Sequence, residues 1–343
     1  MGYGKVGAAL AGAIAAFMTT TGGAKAEDFP DLNLKFALYI AENTVHGKIY
    51  KWWGEEIGRR SGGKIKVTTF FSESLGKSTE LLELVAAGAV NFTAPSPGYY
   101  ASKLPLVNVG QLPLVMSTND EVHAVMDAIA ETTAIKKEQE RNKVVPLFWT
   151  SLPTYHVLCN TEIKTVADFA NKKMRSYGAY VPQMWSALNA VSVTVLLPEI
   201  YEGLQRGNID CSYLPDDVSY SYKLHEVAKY YVTANFGTIM AWPVYANAAQ
   251  WNAWPDSVKA LIMEVSKEAS ERDRVEVAKF GEESASAMLA GGMTKVEFQE
   301  QEKLEATIPD FVDVWVERMK GEGMGAEAEE IATMVRKATK APD

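Results

Sequence analysis

The chain has 343 residues, of which 47% are hydrophobic and 22% are charged, and its formal net charge is −9. This length and composition indicate a globular protein large enough for two domains. The acidic balance, without a basic block, disfavours nucleic-acid binding. Two cysteines exclude a disulfide-rich scaffold and a cysteine-rich metal site, and four histidines leave little for a metal centre built on imidazole. We therefore expect neither a metal nor another cofactor.

Residues 1–26 have the pattern of a cleaved secretory signal peptide. Lys5 supplies a positive charge, Val6 to Met18 form an apolar run, and Ala24-Lys25-Ala26 fits a cleavage site. The apolar run has 13 residues, whereas a bilayer span needs about 20. An uncleaved anchor is the alternative interpretation. The pattern predicts export, and we expect a soluble mature protein in a bacterial periplasm.

Residues 33–95 alternate between strand and helix patterns. The predicted elements are a strand at Leu34–Ile40, a helix that carries Ile49, Trp53 and Ile57 and stops at Gly62-Gly63, a strand at Lys64–Phe71, a helix at Ser78–Ala87 and a strand at Val90–Ala94. This β-α-β-α-β order predicts a parallel sheet with right-handed crossovers.

A second run of the same kind begins near Val144. Its predicted strands are Pro146–Trp149, Thr154–Cys159, Lys173–Tyr177 and Val191–Leu196, and its predicted helices are Val181–Leu188 and Pro198–Gln205. The pattern E-x-[VL]-x-x-G-x-[VI]-[ND] occurs in both runs, at Glu83–Asn91 and at Glu202–Asp210. In each run it ends a helix and starts a strand, which indicates two similar lobes.

Two chain crossings are expected between these lobes, near 148–152 and 234–243. A helix from Pro255 to Leu289 would be roughly 50 Å long and would bridge both lobes. The predicted fold is therefore α/β, a two-lobed periplasmic binding protein fold with a long bridging helix. The predicted divisions are lobe 1 at 27–149 plus about 238–285, lobe 2 at 150–237 plus about 286–310, and a C-terminal helical brace at 311–343.

Ligands of α/β sheets bind beyond the carboxyl ends of the strands, so two lobes would hold a ligand in the cleft between them. The predicted cleft loops are rich in aromatic residues and contain one basic residue, Arg175. An arginine on a half-buried strand needs an anion, which is either a ligand carboxylate or an internal partner such as Glu199 or Asp210. The candidate site residues are Asn43, Glu73, Ser96, Trp149, Tyr155, Arg175, Tyr177, Tyr213, Phe236 and Trp242.

Several segments resemble the substrate-binding proteins of TRAP (tripartite ATP-independent periplasmic) transporters. They are His46-Gly47-Lys48, Arg60–Val67, Gly76, Ala167–Arg175 and Pro198–Asp210. The resemblance covers most of the mature chain. It implies that Arg175 holds the carboxylate of an organic acid, and that the closed lobes deliver this acid to membrane-embedded permease subunits.

Two segments depart from the family pattern. Leu152–His156 lacks an arginine found in many members that bind sialic acids or dicarboxylates, and Asp210–Pro215 lacks an asparagine typical of that turn. A second carboxylate beside a single arginine would stay unpaired, at a cost of several kcal/mol. We therefore expect a monocarboxylate with an apolar or aromatic body, stacked on Trp149, Tyr155, Phe236 or Trp242. A C4-dicarboxylate or a 2-oxo acid remains the alternative.

An exported hydrolase is the alternative from a different functional class. The sequence contains no G-x-S-x-G and no H-E-x-x-H motif, and no glycine-rich phosphate loop follows a predicted strand. We therefore expect no enzymatic activity. We also expect a monomeric protein. A binding protein that serves a sensor or an ABC importer is a third possibility.

The two cysteines, Cys159 and Cys211, fall in predicted strands of the second lobe. A disulfide between them requires Cα atoms within about 7 Å of each other. The favoured expectation is two buried thiols.

Overall fold

The structure is a computed structural model that describes residues 29–339 together with Met1 and Gly2. All but the first two residues of the predicted signal peptide lie outside the described residues. None of the helices in the described part of the chain combines the length and the apolar character that a bilayer crossing requires.

The described residues form eleven strands and twelve α-helices, joined by loops and short 3-10 turns. The strands are β1 (Leu32–Ala37), β2 (Ile65–Phe70), β3 (Phe92–Thr93), β4 (Val144–Phe148), β5 (Tyr155–Cys159), β6 (Lys173–Ser176), β7 (Val191–Thr194), β8 (Cys211–Pro215), β9 (Tyr230–Val232), β10 (Val244–Asn247) and β11 (Thr294–Val296). The helices are α1 (Val45–Arg60), α2 (Leu81–Ala86), α3 (Asn119–Ala130), α4 (Thr133–Arg141), α5 (Val181–Ala187), α6 (Ile200–Gln205), α7 (Asp216–Ser221), α8 (Ala248–Ala253), α9 (Asp256–Ala290), α10 (Gln301–Thr307), α11 (Phe311–Gly321) and α12 (Gly325–Ala338).

The first sheet has the order β2-β1-β3-β10-β4. Strands β1, β2 and β3 are parallel, which confirms the order predicted for residues 33–95. Strand β10 runs antiparallel between β3 and β4. The prediction that the strand at Pro146–Trp149 belongs to the second unit is wrong. That strand is β4, an edge strand of the first sheet, and its partner β10 returns from more than ninety residues later in the chain.

The second sheet has the order β11-β9-β5-β8-β6-β7. Strand β6 is parallel to β7 and β8, and β5 is antiparallel to β8 and β9. We take each sheet with its covering helices as one lobe. Each lobe has an aromatic core: Trp53 contacts Phe36 and Phe92 in the first lobe, and Trp185 contacts Phe169 and Phe236 in the second.

Two chain segments cross between the lobes side by side, and they pair in antiparallel fashion. The amide of Ala241 donates to the carbonyl of Thr150 (2.8 Å), and the amide of Leu152 donates to the carbonyl of Ile239 (3.0 Å). The long helix α9 has 35 residues. It packs against α1, α3 and β4 of the first lobe and against α7 of the second. The predicted two-lobed α/β fold with a bridging helix is therefore confirmed.

The lobes touch each other across the cleft, so the structure is a closed arrangement. The amide of Ala41 donates to the Tyr222 hydroxyl (3.2 Å), and Asn43 Nδ2 donates to the carbonyl of Ser221 (3.0 Å). Gly178 has φ +64° and lies against Gly98 of the other lobe, where a Cβ would come within 3.0 Å of the Gly98 carbonyl oxygen. A glycine at this point allows the backbones to approach this closely.

Cys159 and Cys211 form a disulfide, so the expectation of two buried thiols is wrong. The two residues lie directly opposite each other on the antiparallel strands β5 and β8, and their Cα atoms are 4.1 Å apart. The register of this strand pair decides the proximity, and the sequence pattern does not contain that register.

Candidate ligand-binding site

A narrow cavity lies between the lobes, beyond the carboxyl ends of strands from both sheets. Its free volume is about 20 Å³. The lining residues are Tyr39, Ser96, Tyr99, Gln111, Leu152, Tyr155, Arg175, Tyr177, Leu197, Leu214, Pro215, Val218 and Trp242. This position is the one at which α/β sheets bind ligands.

Arg175 on β6 is the one charged residue among the described residues that line the cavity. Its Nε donates to the carbonyl of Val195 (3.1 Å), its Nη1 to the carbonyl of Tyr213 (3.1 Å) and its Nη2 to the Tyr99 hydroxyl (3.4 Å). Its Cζ lies 4.2 Å from the centre of the Tyr177 ring. A guanidinium has five N–H donors, so two donors are left for another acceptor.

The side chain of Arg175 is only 2% exposed, and none of the ion pairs within residues 29–339 involves it. The two carboxylates considered as internal partners of Arg175 accept hydrogen bonds from backbone amides instead. Asp210 accepts from the amide of Lys173 (2.8 Å), and Glu199 accepts from the amide of Leu196 (3.3 Å). A buried guanidinium without a carboxylate partner has the geometry and charge to bind an anion that enters the cavity.

Four tyrosines surround the cavity, two from each lobe. Burial raises the pKa of Tyr39, Tyr99, Tyr155 and Tyr177 above the ordinary value of 10.0. All four therefore stay uncharged at neutral pH and act as hydroxyl donors and acceptors. The hydroxyls of Tyr155 and Tyr177 are 3.4 Å apart, and the Tyr39 ring packs edge-on against Trp242.

Five of the ten predicted site residues line the cavity: Ser96, Tyr155, Arg175, Tyr177 and Trp242. Tyr213 contributes only its carbonyl to Arg175. Its ring packs with Trp185 and Phe236 in the core of the second lobe, so neither Tyr213 nor Phe236 reaches the cavity with its side chain.

The other three predicted residues also lie outside the cavity. Trp149 packs against Tyr245 and lines a groove on the outer side of the first lobe, so it does not line the cavity between the lobes. Asn43 lies at the contact between the lobes. Glu73 accepts from the amide of Ser78 (2.7 Å) and caps a local turn.

The sequence interpretation missed several lining residues, of which Tyr39, Tyr99 and Gln111 are polar. Tyr39 was placed inside a predicted strand, but β1 ends at Ala37 and leaves Tyr39 at the cleft. Tyr99 lies in the 3-10 turn Pro97–Tyr100, within one of the predicted cleft loops that are rich in aromatic residues. Gln111 offered no sequence signal. Its Oε1 accepts from the amide of Gly98 (2.7 Å), and its Nε2 donates to the carbonyl of Met240 (3.0 Å). These two hydrogen bonds hold together the segments that line the cavity.

The comparison with protein families decides the identity. Residues 36–316 match the profile of "Bacterial extracellular solute-binding protein, family 7", DctP. This chain belongs to that family. The resemblance to TRAP substrate-binding proteins that was drawn from the sequence is thereby confirmed.

This solute-binding protein is 25% identical over 327 residues to the C4-dicarboxylate-binding periplasmic protein DctP of Rhodobacter capsulatus, covering 93% of this chain and 96% of that relative. It is similar in fold to DctP7 of Bordetella pertussis, an extracytoplasmic solute receptor that binds pyroglutamic acid, with 17% identity, a TM-score of 0.81, and 89% and 99% of the two chains covered. It is also similar in fold to a TRAP periplasmic solute-binding protein of Sulfurospirillum deleyianum with bound succinate, with 20% identity, a TM-score of 0.78, and 91% and 100% of the two chains covered.

A second polar cluster of the solute-binding protein lies where the lobes and α9 meet. Asp273 of α9 accepts from His123 Nε2 (2.8 Å) and from the amide and hydroxyl of Ser151 (2.8 and 2.7 Å). His46 Nε2 lies 3.2 Å from Asp273 Oδ1. Burial raises the pKa of Asp273, but the hydrogen bond from His123 and the nearby His46 outweigh it and hold the pKa below its ordinary value of 3.8. These contacts tie α1, α3, α9 and a crossing segment together.

Asp217 of α7 is fully buried near this cluster, and neither of its oxygens has a hydrogen-bond partner among residues 29–339. Burial raises its pKa from 3.8 to about 6, against the opposing charge of His46. The unfolded chain ionises this group near 3.9, so the folded state loses stability as the pH rises from about 4 to about 6.

We expect the Asp217→Asn variant to be more stable than the wild type at pH 8, by up to about 3 kcal/mol, because the asparagine carries no charge. At pH 4 the two proteins should differ little. Urea unfolding at both pH values measures the difference, with exposed Asp31→Asn as the control. Equal destabilisation at pH 4 and pH 8 would contradict the assignment.

Proposed function

We propose that this solute-binding protein captures a small organic monocarboxylate between its lobes in the periplasm and delivers it to the permease subunits of a TRAP transporter. The observation that carries the proposal is Arg175, a buried guanidinium with two N–H donors to spare and no carboxylate partner among residues 29–339. A ligand carboxylate satisfies both donors in a bidentate pair.

Closure of the lobes strengthens the pair between Arg175 and the ligand carboxylate. Arg175 belongs to the second lobe, and its contact with the Tyr99 hydroxyl links it to the first. When the lobes close, water leaves the cavity and the charge-assisted hydrogen bonds act in a low-dielectric surrounding. The paired crossing segments provide the hinge for this movement.

One carboxylate, rather than two, fits the charge of the cavity. Arg175 is the one cation among its described lining residues, and the four tyrosines stay neutral. A second buried carboxylate would have no compensating charge. The relative named for C4-dicarboxylates and the structure with succinate favour the alternative, whereas the structure with pyroglutamic acid has a ligand with one carboxylate.

A compact ligand body is the better fit for this narrow cavity. Its free volume is about 20 Å³, so the lobes must move apart to admit any of these acids, and a sugar acid or a bulky aromatic acid would need the widest separation. Tyr155 and Trp242 remain the aromatic surfaces available for stacking.

Calorimetric titration tests the proposal on protein that has been unfolded, dialysed and refolded to remove bound ligand. The probes are butanoate, 2-oxobutanoate, benzoate, succinate and glucuronate. We expect at least one short monocarboxylate to bind at least about tenfold tighter than succinate, a difference of about 1.4 kcal/mol. Tightest binding of succinate or glucuronate would contradict the proposal.

Delivery to a permease and the monomeric state need separate measurements. Membrane permease subunits should co-purify with the ligand-loaded protein from native membranes. Capture of an ABC importer or a sensor kinase instead would point to the other transport or signalling role. Light scattering on the purified protein measures its mass in solution.

A further inference from the structure

We infer that Tyr222 and Asn43, which lie outside the ligand cavity, form a latch between the lobes that determines how slowly the bound acid is released. The latch joins the loop from β1 to α1, residues 38–44, to the C-terminal end of α7. The inference rests on the lobe closure of the proposed function, and it holds for any acid on which the lobes close.

Two hydrogen bonds make up the latch, and each crosses from one lobe to the other. The amide of Ala41 donates to the Tyr222 hydroxyl (3.2 Å), and Asn43 Nδ2 donates to the carbonyl of Ser221 (3.0 Å). None of these four residues is among the described residues that line the cavity. The latch can therefore stabilise the closed arrangement without touching the ligand.

The first-lobe half of the latch is fixed on the start of α1. Thr44 Oγ1 accepts from the amide of Gly47 (2.9 Å) and donates to the carbonyl of Ala41 (2.8 Å). The loop lies so close to Gly47 that a Cβ there would come within 2.5 Å of the Ala41 carbonyl oxygen. All of these contacts lie within the first lobe, so we expect the loop to keep its shape when the lobes separate. Formation of the latch then costs little conformational entropy.

The second-lobe half is the C-terminal end of a helix. Helix α7 ends at Ser221, and the last carbonyls of a helix have no partner within it. The side-chain amide of Asn43 supplies a partner for the Ser221 carbonyl. Burial raises the pKa of the Tyr222 hydroxyl above its ordinary value of 10.0. The hydroxyl therefore stays uncharged at neutral pH and accepts from the first lobe as a neutral group.

Both halves of the latch are continuous with the wall of the cavity. In the first lobe Tyr39 lines the cavity and belongs to the same loop as Ala41. In the second lobe Val218 lines the cavity and belongs to the same helix as Ser221. Closure of these walls over an acid therefore brings the latch residues together as well. A ligand that favours the closed arrangement also favours the latch, and the latch in turn retains the ligand.

The two bonds differ in the cost of losing them. The bond from the Ala41 amide is half-buried, so without the Tyr222 hydroxyl this amide would leave water on closure and find no acceptor in its place. The bond from Asn43 lies at the exposed rim of the contact, where water can replace it. Removal of the Tyr222 hydroxyl should therefore have the larger effect.

Stopped-flow tryptophan fluorescence of the refolded full chain tests the latch, because Trp242 lines the cavity. The probes are butanoate, 2-oxobutanoate, benzoate, succinate and glucuronate. We expect Tyr222→Phe to release each acid that binds about 3- to 10-fold faster, and Asn43→Ala about 2- to 3-fold faster. Association rates should stay within about twofold of the wild type, because the latch forms after the acid has entered. Tyr220→Phe, on the same helix and 37% exposed, is the matched control.

Two results overturn the inference and leave the proposed function intact. One is a pair of correctly folded variants that release the acids at the wild-type rate. The other is a Tyr222→Phe effect that differs from one acid to another, which would place this hydroxyl in contact with the ligand. Faster release of succinate supports the latch even where tightest binding of succinate contradicts the monocarboxylate proposal. If none of the five acids binds, the proposed function and this inference both fail.

Discussion

Replacement of Arg175 by alanine should weaken ligand binding by more than about 30-fold. The loss corresponds to about 2–5 kcal/mol, the range for a buried charge pair that loses one partner. In the closed cleft the ligand carboxylate would have left water and would find only uncharged side chains among the described lining residues. The measurement is calorimetric titration of the variant with the acid that binds the wild type tightest.

Two further variants distinguish the effect of the charge of Arg175 from the effects of its planar shape and of its hydrogen bonds to the protein. Arg175→Lys keeps the charge but loses the planar fork, so we expect an intermediate affinity. Arg175→Gln keeps an N–H donor group on a shorter side chain and loses the charge. Arg206→Ala, at an exposed side chain, is the control. A correctly folded Arg175→Ala protein with wild-type affinity would remove Arg175 from the site.

Removal of the disulfide should give the second large effect, on stability rather than on binding. Replacement of both Cys159 and Cys211 by alanine should lower the free energy of unfolding by about 2–4 kcal/mol. The two residues are 52 positions apart in the chain, so the bond restricts a long loop in the unfolded state. Urea unfolding of the two proteins under oxidising conditions measures the difference.

A reducing agent provides an internal control for this prediction. Dithiothreitol present throughout unfolding should destabilise the wild type toward the value of the double variant and should leave the double variant unchanged. The same transition midpoint for oxidised wild type and double variant would contradict the prediction. The disulfide joins β5 to β8, and these strands carry Tyr155 and the carbonyl of Tyr213 that holds Arg175. Neither cysteine lines the cavity itself, so we expect a smaller effect on affinity than on stability.

Local patterns predicted the elements well because periodicity and helix ends depend on neighbouring residues. The helix expected at Pro255–Leu289 is Asp256–Ala290, and the three parallel strands of residues 33–95 have the predicted order. Arg175 was singled out because a cation on a buried strand needs an anion wherever the strand lies. Its burial, and the absence of a carboxylate partner among residues 29–339, agree with that reasoning.

The choice among the aromatic residues could not be predicted in the same way. Trp149 and Tyr39 both stand near strand ends, yet Tyr39 lines the cavity and Trp149 faces an outer groove. The direction in which each side chain points depends on where its strand ends and on which strand pairs beside it. Strand β4 pairs with β10, which lies almost a hundred residues later in the chain.

By itself, the amino-acid sequence determined the order of strands and helices, the two-lobed class and the single arginine of the cleft, because these follow from local periodicity and from charge. Only the tertiary structure decided the pairing of β4 with β10, the Cys159–Cys211 disulfide and the set of tyrosines that face Arg175. Each of these depends on strand register or on lobe closure, which bring together segments that are far apart in the chain. Short-range sequence patterns carry no information about which distant segments meet.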